Sequence, residues 1–211
     1  METDTAAGPA SAGTTMLRAA DRSASPWRNG TGSTSEILVR AGAADAATGE
    51  PDTATGRFDW RLSIATVSAD GPFSTFPGVD RSLMALSAAG LGITDEGAAV
   101  WLGQYDVHDF PGENSVASTG VTGETLDLNL MCDRGRRRGT LGAESVSGMG
   151  TVAAADADEV AVVFLDGWLV CREHPGPWTT LGAHDAVLLA PGAGLQLVGR
   201  GRIAIARVRP A

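Results

Sequence analysis

The chain has 211 residues, a mass of 21.5 kDa, a formal charge of -9 and a pI near 4.7. That is enough for one domain or two small ones sharing an interface, and the charge disfavours nucleic acid or an anionic membrane surface as a partner. All 16 basic residues are Arg, so a Schiff-base or pyridoxal-phosphate lysine and a P-loop lysine are excluded.

Met1 to Thr15 is a diffuse Ala/Gly/Thr/Pro segment with Glu2 and Asp4. It lacks the apolar residues that offset ordering entropy and reads as a disordered N-terminus without signal-peptide character. No apolar run approaches the length of a bilayer span, so the expected location is the cytoplasm. Met16 to Ala20 reads as a first strand. Ser25 to Glu36 then places Asn29-Gly30, a tight-turn signal, ahead of a short strand at Ile37 to Arg40. The turn reads either as a plain hairpin loop or as a cradle of free amides and hydroxyls facing a ligand. Ala41 to Arg57 reads as a flexible insertion.

Phe58 to Arg81 organises the rest. Phe58, Trp60, Leu62 and Ile64 alternate with Asp59, Arg61, Ser63 and Ala65, the pattern of a half-buried strand. Ala69 to Arg81 follows with Phe73, Phe76 and two Gly/Pro turns, an ordered loop folded over a pocket or a core. Ser82 to Ile93 reads as one or two buried strands and Ala99 to Gln104 as another. Glu124 to Cys132 alternates again, Leu126, Leu128 and Leu130 against Asp127, Asn129 and Met131. The polar faces of these two strong strands either meet water or line the mouth of a barrel; pattern alone leaves both open.

Asp133 to Gly148, with Arg134, Arg136, Arg137 and Arg138, reads as a solvated loop that overlaps a flexible linker over 136–158. Val160 to Leu165 is apolar enough for a strand buried on both faces, and Gly167 to Arg172, Ala186 to Leu189, Gly194 to Val198 and Ile203 to Val208 add short strands at regular spacing. No stretch keeps a helical period. Short strands with Gly/Pro turns predict an all-β sandwich or barrel. Cys132 and Cys171 are too far apart for a CxxC motif; they read as buried free thiols, with one disulfide as the alternative.

W-R-N-G-x-G-x-T-x-E at Trp27 to Glu36, F-x-W-R-L-S-x-A at Phe58 to Ala65, D-G-P-F-S-x-F-P-G-x-D-R at Asp70 to Arg81, F-P-G at Phe110 to Gly112 and D-L-N-L-M at Asp127 to Met131 occur in order. Together they resemble the HutD family, which includes the Ves-type proteins. The later Leu181 to Gly192 stretch is similar to the descending half of a cupin jelly roll. The resemblance implies a cupin (RmlC-like) jelly-roll fold in two halves, 16–135 and 159–209. It also implies a histidine-utilisation association and an accessory or regulatory role without established enzymatic activity. The motif residues it carries over are Trp27, Asn29, Gly30, Thr34 and Glu36, then Arg61 and Ser63, then Phe73, Phe76, Asp80 and Arg81, then Phe110, Asp127, Asn129 and Met131. Thr31 departs from the family's third Gly, and Glu113 stands where Asp is common.

Only three histidines, His108, His174 and His184, are present and none forms His-x-His, which argues against the usual cupin metal site; no cofactor is expected. His184 and Asp185 read as structural. One functional reading is a non-enzymatic protein binding a small carboxylate such as urocanate or formylglutamate. Arg61 and Arg81 would face the carboxylate, Trp27 and Phe76 would supply walls, and Asn29 and Asn129 would meet an amide or imidazole edge. The second reading is a metal-independent isomerase or hydrolase with Glu36 or His108 as general base. A protein-interaction patch around Phe73 and Phe76 is a third. A homodimer through sheet edges is an assembly the fold permits.

Overall fold

Alternating apolar and polar residues become strand through almost the whole chain. The computed structural model describes residues 13–42 and 58–211, so most of the expected insertion and of the N-terminal segment lies outside the described residues. The strands are β1 (Thr14–Leu17), β2 (Ala24–Pro26), β3 (Gly32–Ala41), β4 (Phe58–Val67), β5 (Gly71–Pro72), β6 (Val79–Ala85), β7 (Leu91–Asp95) and β8 (Ala98–Leu102). They continue as β9 (Val107–Pro111), β10 (Val116–Thr119), β11 (Thr125–Asp133), β12 (Arg137–Ala153), β13 (Glu159–Glu173), β14 (Thr179–Thr180), β15 (Ala186–Leu189) and β16 (Gly194–Pro210). A single 3-10 turn at Ala19–Asp21 is the helical content of the described residues.

Three antiparallel sheets result. One runs β2-β3-β4-β11-β6-β9, a four-stranded sheet runs β5-β10-β7-β8, and the third runs β1-β15-β13-β16-β12 with β14 beside β13. Each of the two strong strands, β4 and β11, serves two environments. Trp60, Leu62 and Ile64 of β4 with Leu128, Leu130 and Cys132 of β11 pack against Ala161, Val163 and Leu165 of β13 and Ala204, Ala206 and Val208 of β16. The opposite face of their sheet turns toward the four-stranded sheet, where Leu83, Ala85 and Phe110 meet Leu91, Ile93, Leu102 and Val116. A third cluster fills the far side of β13, β15 and β16 with Val160, Val162, Phe164, Val187, Leu189, Ile203 and Ile205. Val160 to Leu165 is therefore buried on both faces, as its composition predicted.

Several expectations are corrected. The stretch 136–158 is mostly β12, a 17-residue strand paired along its whole length with β16, from Arg137 opposite Pro210 to Ala153 opposite Gly194. Arg134 to Arg136 form a turn at the surface between β11 and β12, but the Arg run is ion-paired rather than free. Arg134 bonds Asp80 and Glu113, while Arg136 and Arg137 both reach Asp59. Thr14 and Thr15, placed in the disordered segment, belong to β1, which pairs with β15. Of the short strands expected after residue 160, Val160 to Leu165 and Gly167 to Arg172 merge into β13 and Gly194 to Val198 and Ile203 to Val208 into β16, while Ala186 to Leu189 stands by itself as β15. Gly167 and Gly201, at or beside the breaks between those expected strands, lie where β13 and β16 touch: a Cβ on Gly167 would sit 2.5 Å from the Gly201 Cα. Glycine here permits close backbone approach rather than chain reversal.

Both thiols are free and buried, Cys132 in the cluster between the six-stranded sheets and Cys171 in the third cluster. Burial pushes the Cys132 thiol up to about 12, beyond any reactive range. Among the described residues no helix is long and apolar enough to cross a membrane.

Candidate ligand-binding site

A cavity of about 580 Å³ opens on the inner face of β4 and β11. Its floor follows from register. Arg61, Met131 and Arg81 form one row across β4, β11 and β6; Ser63, Asn129 and Leu83 form the next; Ala65, Asp127 and Ala85 form the third. Side chains two apart on a strand share a face, so the polar faces seen in the sequence converge here rather than meeting water. From the neighbouring β3, Thr34 lies opposite Ala65 and Glu36 opposite Ser63, and a bulge follows between Glu36 and Leu38.

The floor is polar and buried. Ser63, Arg81, Asp127 and Asn129 are all buried, Asp127 with 1% of its surface exposed. The Arg81 guanidinium lies 4.9 to 5.9 Å from the ring centres of Phe73, Phe76 and Phe110, a favourable placement for a cation with little water. Its Nη1 donates to the Ser74 carbonyl at 3.1 Å and its Nε to Asn129 Oδ1 at 3.4 Å. Burial lowers Arg81 to about 10, partly opposed by the nearby Asp127. Burial pushes Asp127 up to about 7, only partly offset by the neighbouring Arg81 and Asn129. Asp127 Oδ1 and Arg61 Nε have no partner among the described residues, while Arg61 Nη2 is 2.9 Å from Glu36.

The wall is built by the first and third motifs. Trp27 donates from Nε1 to Thr34 Oγ1 at 2.7 Å and stands edge-on to Phe73 at 6.1 Å. Asn29 lines the cavity, but its amide is spent locally. Its Oδ1 accepts from the Thr31 amide and hydroxyl, and its Nδ2 donates to the Pro72 carbonyl. Gly32 is needed for the wall, because a Cβ there would lie 2.3 Å from the Thr66 carbonyl and 3.0 Å from the Trp27 ring. Gly32→Ala is therefore expected to displace Trp27, read as a shifted tryptophan emission maximum together with a loss of about 1–3 kcal/mol in denaturant unfolding; an unchanged emission maximum would contradict that packing.

Of the residues named from sequence, Gly30, Glu36, Asp80 and Phe110 do not line the cavity. Gly30 supplies a left-handed turn position (φ 71°). Glu36 stands behind Arg61, and Phe110 lies beneath Arg81. Asp80 is turned outward to Arg134, where Glu113 joins it, so these two acids clamp the loop ends. Gly112 fits the same junction, its amide donating to the Val79 carbonyl. Conversely, Ser25, Pro26, Arg28, Ala65, Pro72 and Ser74 line the cavity and were not among the residues named for it, while Phe73, carried over with the third motif, does line it. Arg28 and Phe73 lie inside motifs already singled out; Ala65 had a visible signal, a small residue on the inward face.

Neither expected general base is at the cavity. His108 Nε2 is 2.9 Å from Asp95 and its ring stacks on Phe110. His184 and Asp185 do not line the cavity either, and Asp185 accepts from Arg18 and from the amides of Ala19 and Gly182. Among the described residues no group of three or more His, Cys, Asp or Glu could hold a metal ion.

The family model described as HutD matches residues 19–206. An uncharacterised 21.2 kDa protein of the hutC 3′ region of Pseudomonas putida is 34% identical over 127 residues, covering 60% of this chain and 62% of that protein. Protein Ves of Citrobacter koseri is 34% identical over 112 residues, covering 52% and 53%. The matches thus span between about half and three fifths of these relatives' length. Among solved structures, HutD from Pseudomonas fluorescens SBW25 superposes with a TM-score of 0.75 at 27% identity, covering 94% of this chain and 99% of that one. A cupin 2 conserved barrel domain protein from Leptotrichia buccalis, at 9% identity and a TM-score of 0.52 over 72% and 84% of the chains, shares the fold alone. A family match over nearly the whole described chain and an all-β cupin-like architecture together place this protein in the HutD family.

Proposed function

We propose that this chain is a small-molecule-binding accessory protein whose cavity takes a small acid of histidine catabolism, urocanate and formylglutamate being the candidates. The observation that carries the reading is electrostatic. In a chain of net charge -9, the cavity is lined by Arg28, Arg61 and Arg81 against a single carboxylate, Asp127. A planar guanidinium with an unpartnered N–H, such as Arg61, matches a ligand carboxylate, and Trp27, Phe73 and Phe76 supply apolar walls for a flat or short-chain body. Family membership and the hutC-region relative support the pathway. The reading also treats the chain as two jelly-roll halves in one cytoplasmic protein, the first holding the ligand, with a sheet-edge homodimer as its assembly and a regulatory rather than enzymatic role.

Titration calorimetry with urocanate and formylglutamate tests it. Arg61→Ala is expected to weaken the bound acid by about 10- to 100-fold, the worth of one charge-assisted hydrogen bond or somewhat more. Unchanged affinity in Arg61→Ala, with folding intact, would remove the assigned carboxylate contact.

A further inference from the structure

The cavity has two chemically different ends, and the reading above uses only the cationic one. Arg61 and Arg81 share a row with Met131, whereas Asp127 lies four residues away along β11. The Arg81 guanidinium reaches back toward the intermediate row, its Nε approaching Asn129. What separates it from the Asp127 row is then roughly two strand residues, ~7 Å. Asp127 is flanked across both neighbouring strands by alanines, Ala65 and Ala85, and it lines the cavity together with Ala65.

Such a group is costly to bury without a partner. A carboxyl oxygen with 1% residue exposure and no hydrogen-bond donor is an anomaly in a folded interior. Asn129 and Arg81 are the polar groups beside it, and both are committed in part elsewhere, Asn129 Oδ1 to Arg81 and Arg81 Nη1 to Ser74. An unpartnered buried oxygen on a residue that lines the cavity, beside committed neighbours, is a site for a donor that arrives with the ligand.

Resting on the reading that the cavity binds a small acid, we infer that Asp127 selects among such acids by accepting a hydrogen bond from a ligand N–H. That N–H, of a ring or an amide, lies several bonds from the carboxylate held by Arg61. The acid taken is thus a bifunctional one, carboxylate at one end and nitrogen-bound hydrogen at the other. Simple carboxylates of the same size are rejected because they leave Asp127 unpaired. The same contact favours the ionised carboxyl, so binding near pH 6 releases a proton from Asp127, which burial otherwise holds protonated there.

Matched pairs of probes test this on the full chain by calorimetry. Urocanate is compared with 3-(2-furyl)acrylate, which keeps the shape and carboxylate but replaces the ring N–H by oxygen. N-formylglutamate is compared with N-formyl-N-methylglutamate, which keeps both carboxylates and replaces the formamide N–H by an N-methyl group. At least one N–H probe is expected to bind tenfold or more tightly than its mate. The ratio should collapse toward one in Asp127→Ala, which removes the acceptor, while Arg61→Ala weakens both members of the pair alike. Titrations at pH 6 in buffers of different ionisation enthalpy should show proton release for the N–H probe and none in Asp127→Asn. Equal affinity within each pair would overturn the role of Asp127 and leave the carboxylate site standing. Failure of all four probes to bind would overturn the small-acid reading and this inference with it.

Discussion

Asp127→Asn is expected to gain stability relative to the wild type as the pH is raised from 5 to 8, by on the order of 2–4 kcal/mol over that interval. The sign follows from the direction of the shift. Burial raises the folded-state pKa of Asp127 from an ordinary 3.8 to about 7, so between these values the folded protein holds a proton that the unfolded chain has lost. The group's contribution is fully present below its unfolded pKa, declines as pH rises through the intervening range, and is lost once pH passes through about 7. Asn keeps the shape and does not titrate, so it removes this dependence. It also deprives Arg81 of a nearby negative charge, which offsets part of the gain at alkaline pH. For that reason the change in difference between pH 5 and pH 8 is the quantity to read. A chain of this size shifts its melting temperature by roughly 2–4 °C per kcal/mol, so scanning calorimetry of both proteins resolves the effect. Parallel pH profiles would show that the Asp127 carboxyl is better solvated or paired than the structure has it.

The strand content was legible because period-two patterns are strong in β4 and β11, and the regular Gly/Pro punctuation excluded helix. What pattern could not decide was which face of those strands points inward. A single apolar face implies a single core, yet β4 and β11 separate two: Trp60 and Leu130 face the cluster shared with β13 and β16, and Arg61 and Asn129 face the cavity. Interior polar faces thus look the same in sequence as solvated ones. The long strands were hidden by Gly167 and Gly201, because a glycine that admits a crossing backbone reads like one that turns the chain.

At the site, the motifs located the cavity but not the job of each residue. Asp80 and Glu113 carry charges suited to a ligand, yet register turns them to Arg134; that pairing spans distant segments and has no local signature. Asn29 is the same case on a smaller scale, since its amide closes the turn with Thr31 rather than facing a ligand. The pairing of Glu36 with Arg61 likewise depends on strand register, which places Glu36 beside Ser63 one strand away.

Trp60→Ala is expected to cost the most of any single truncation in the chain, about 3–5 kcal/mol. Trp60 has 0% exposure and sits where the sheet bearing the cavity packs on the sheet formed by β13, β15 and β16. Ala161, Ala186, Ala204 and Ala206 face that same cluster. Short side chains cannot reach across to fill the space an indole leaves, so the site collapses poorly and the penalty falls near the upper end. Trp60→Phe distinguishes packing from polarity. The indole Nε1 is buried without a partner, so Phe removes an unpaired donor while retaining most of the ring. Its net cost is expected to be about 1–2 kcal/mol, the smaller void being offset by the lost desolvation penalty. Denaturant unfolding measures both variants, and the m value should stay constant because the surface exposed on unfolding is unchanged. The two sheets share this cluster, so far-ultraviolet circular dichroism and tryptophan fluorescence should report one coincident transition in the wild type. A cost below about 1 kcal/mol for Trp60→Ala would mean that the sheets are joined by something other than this cluster.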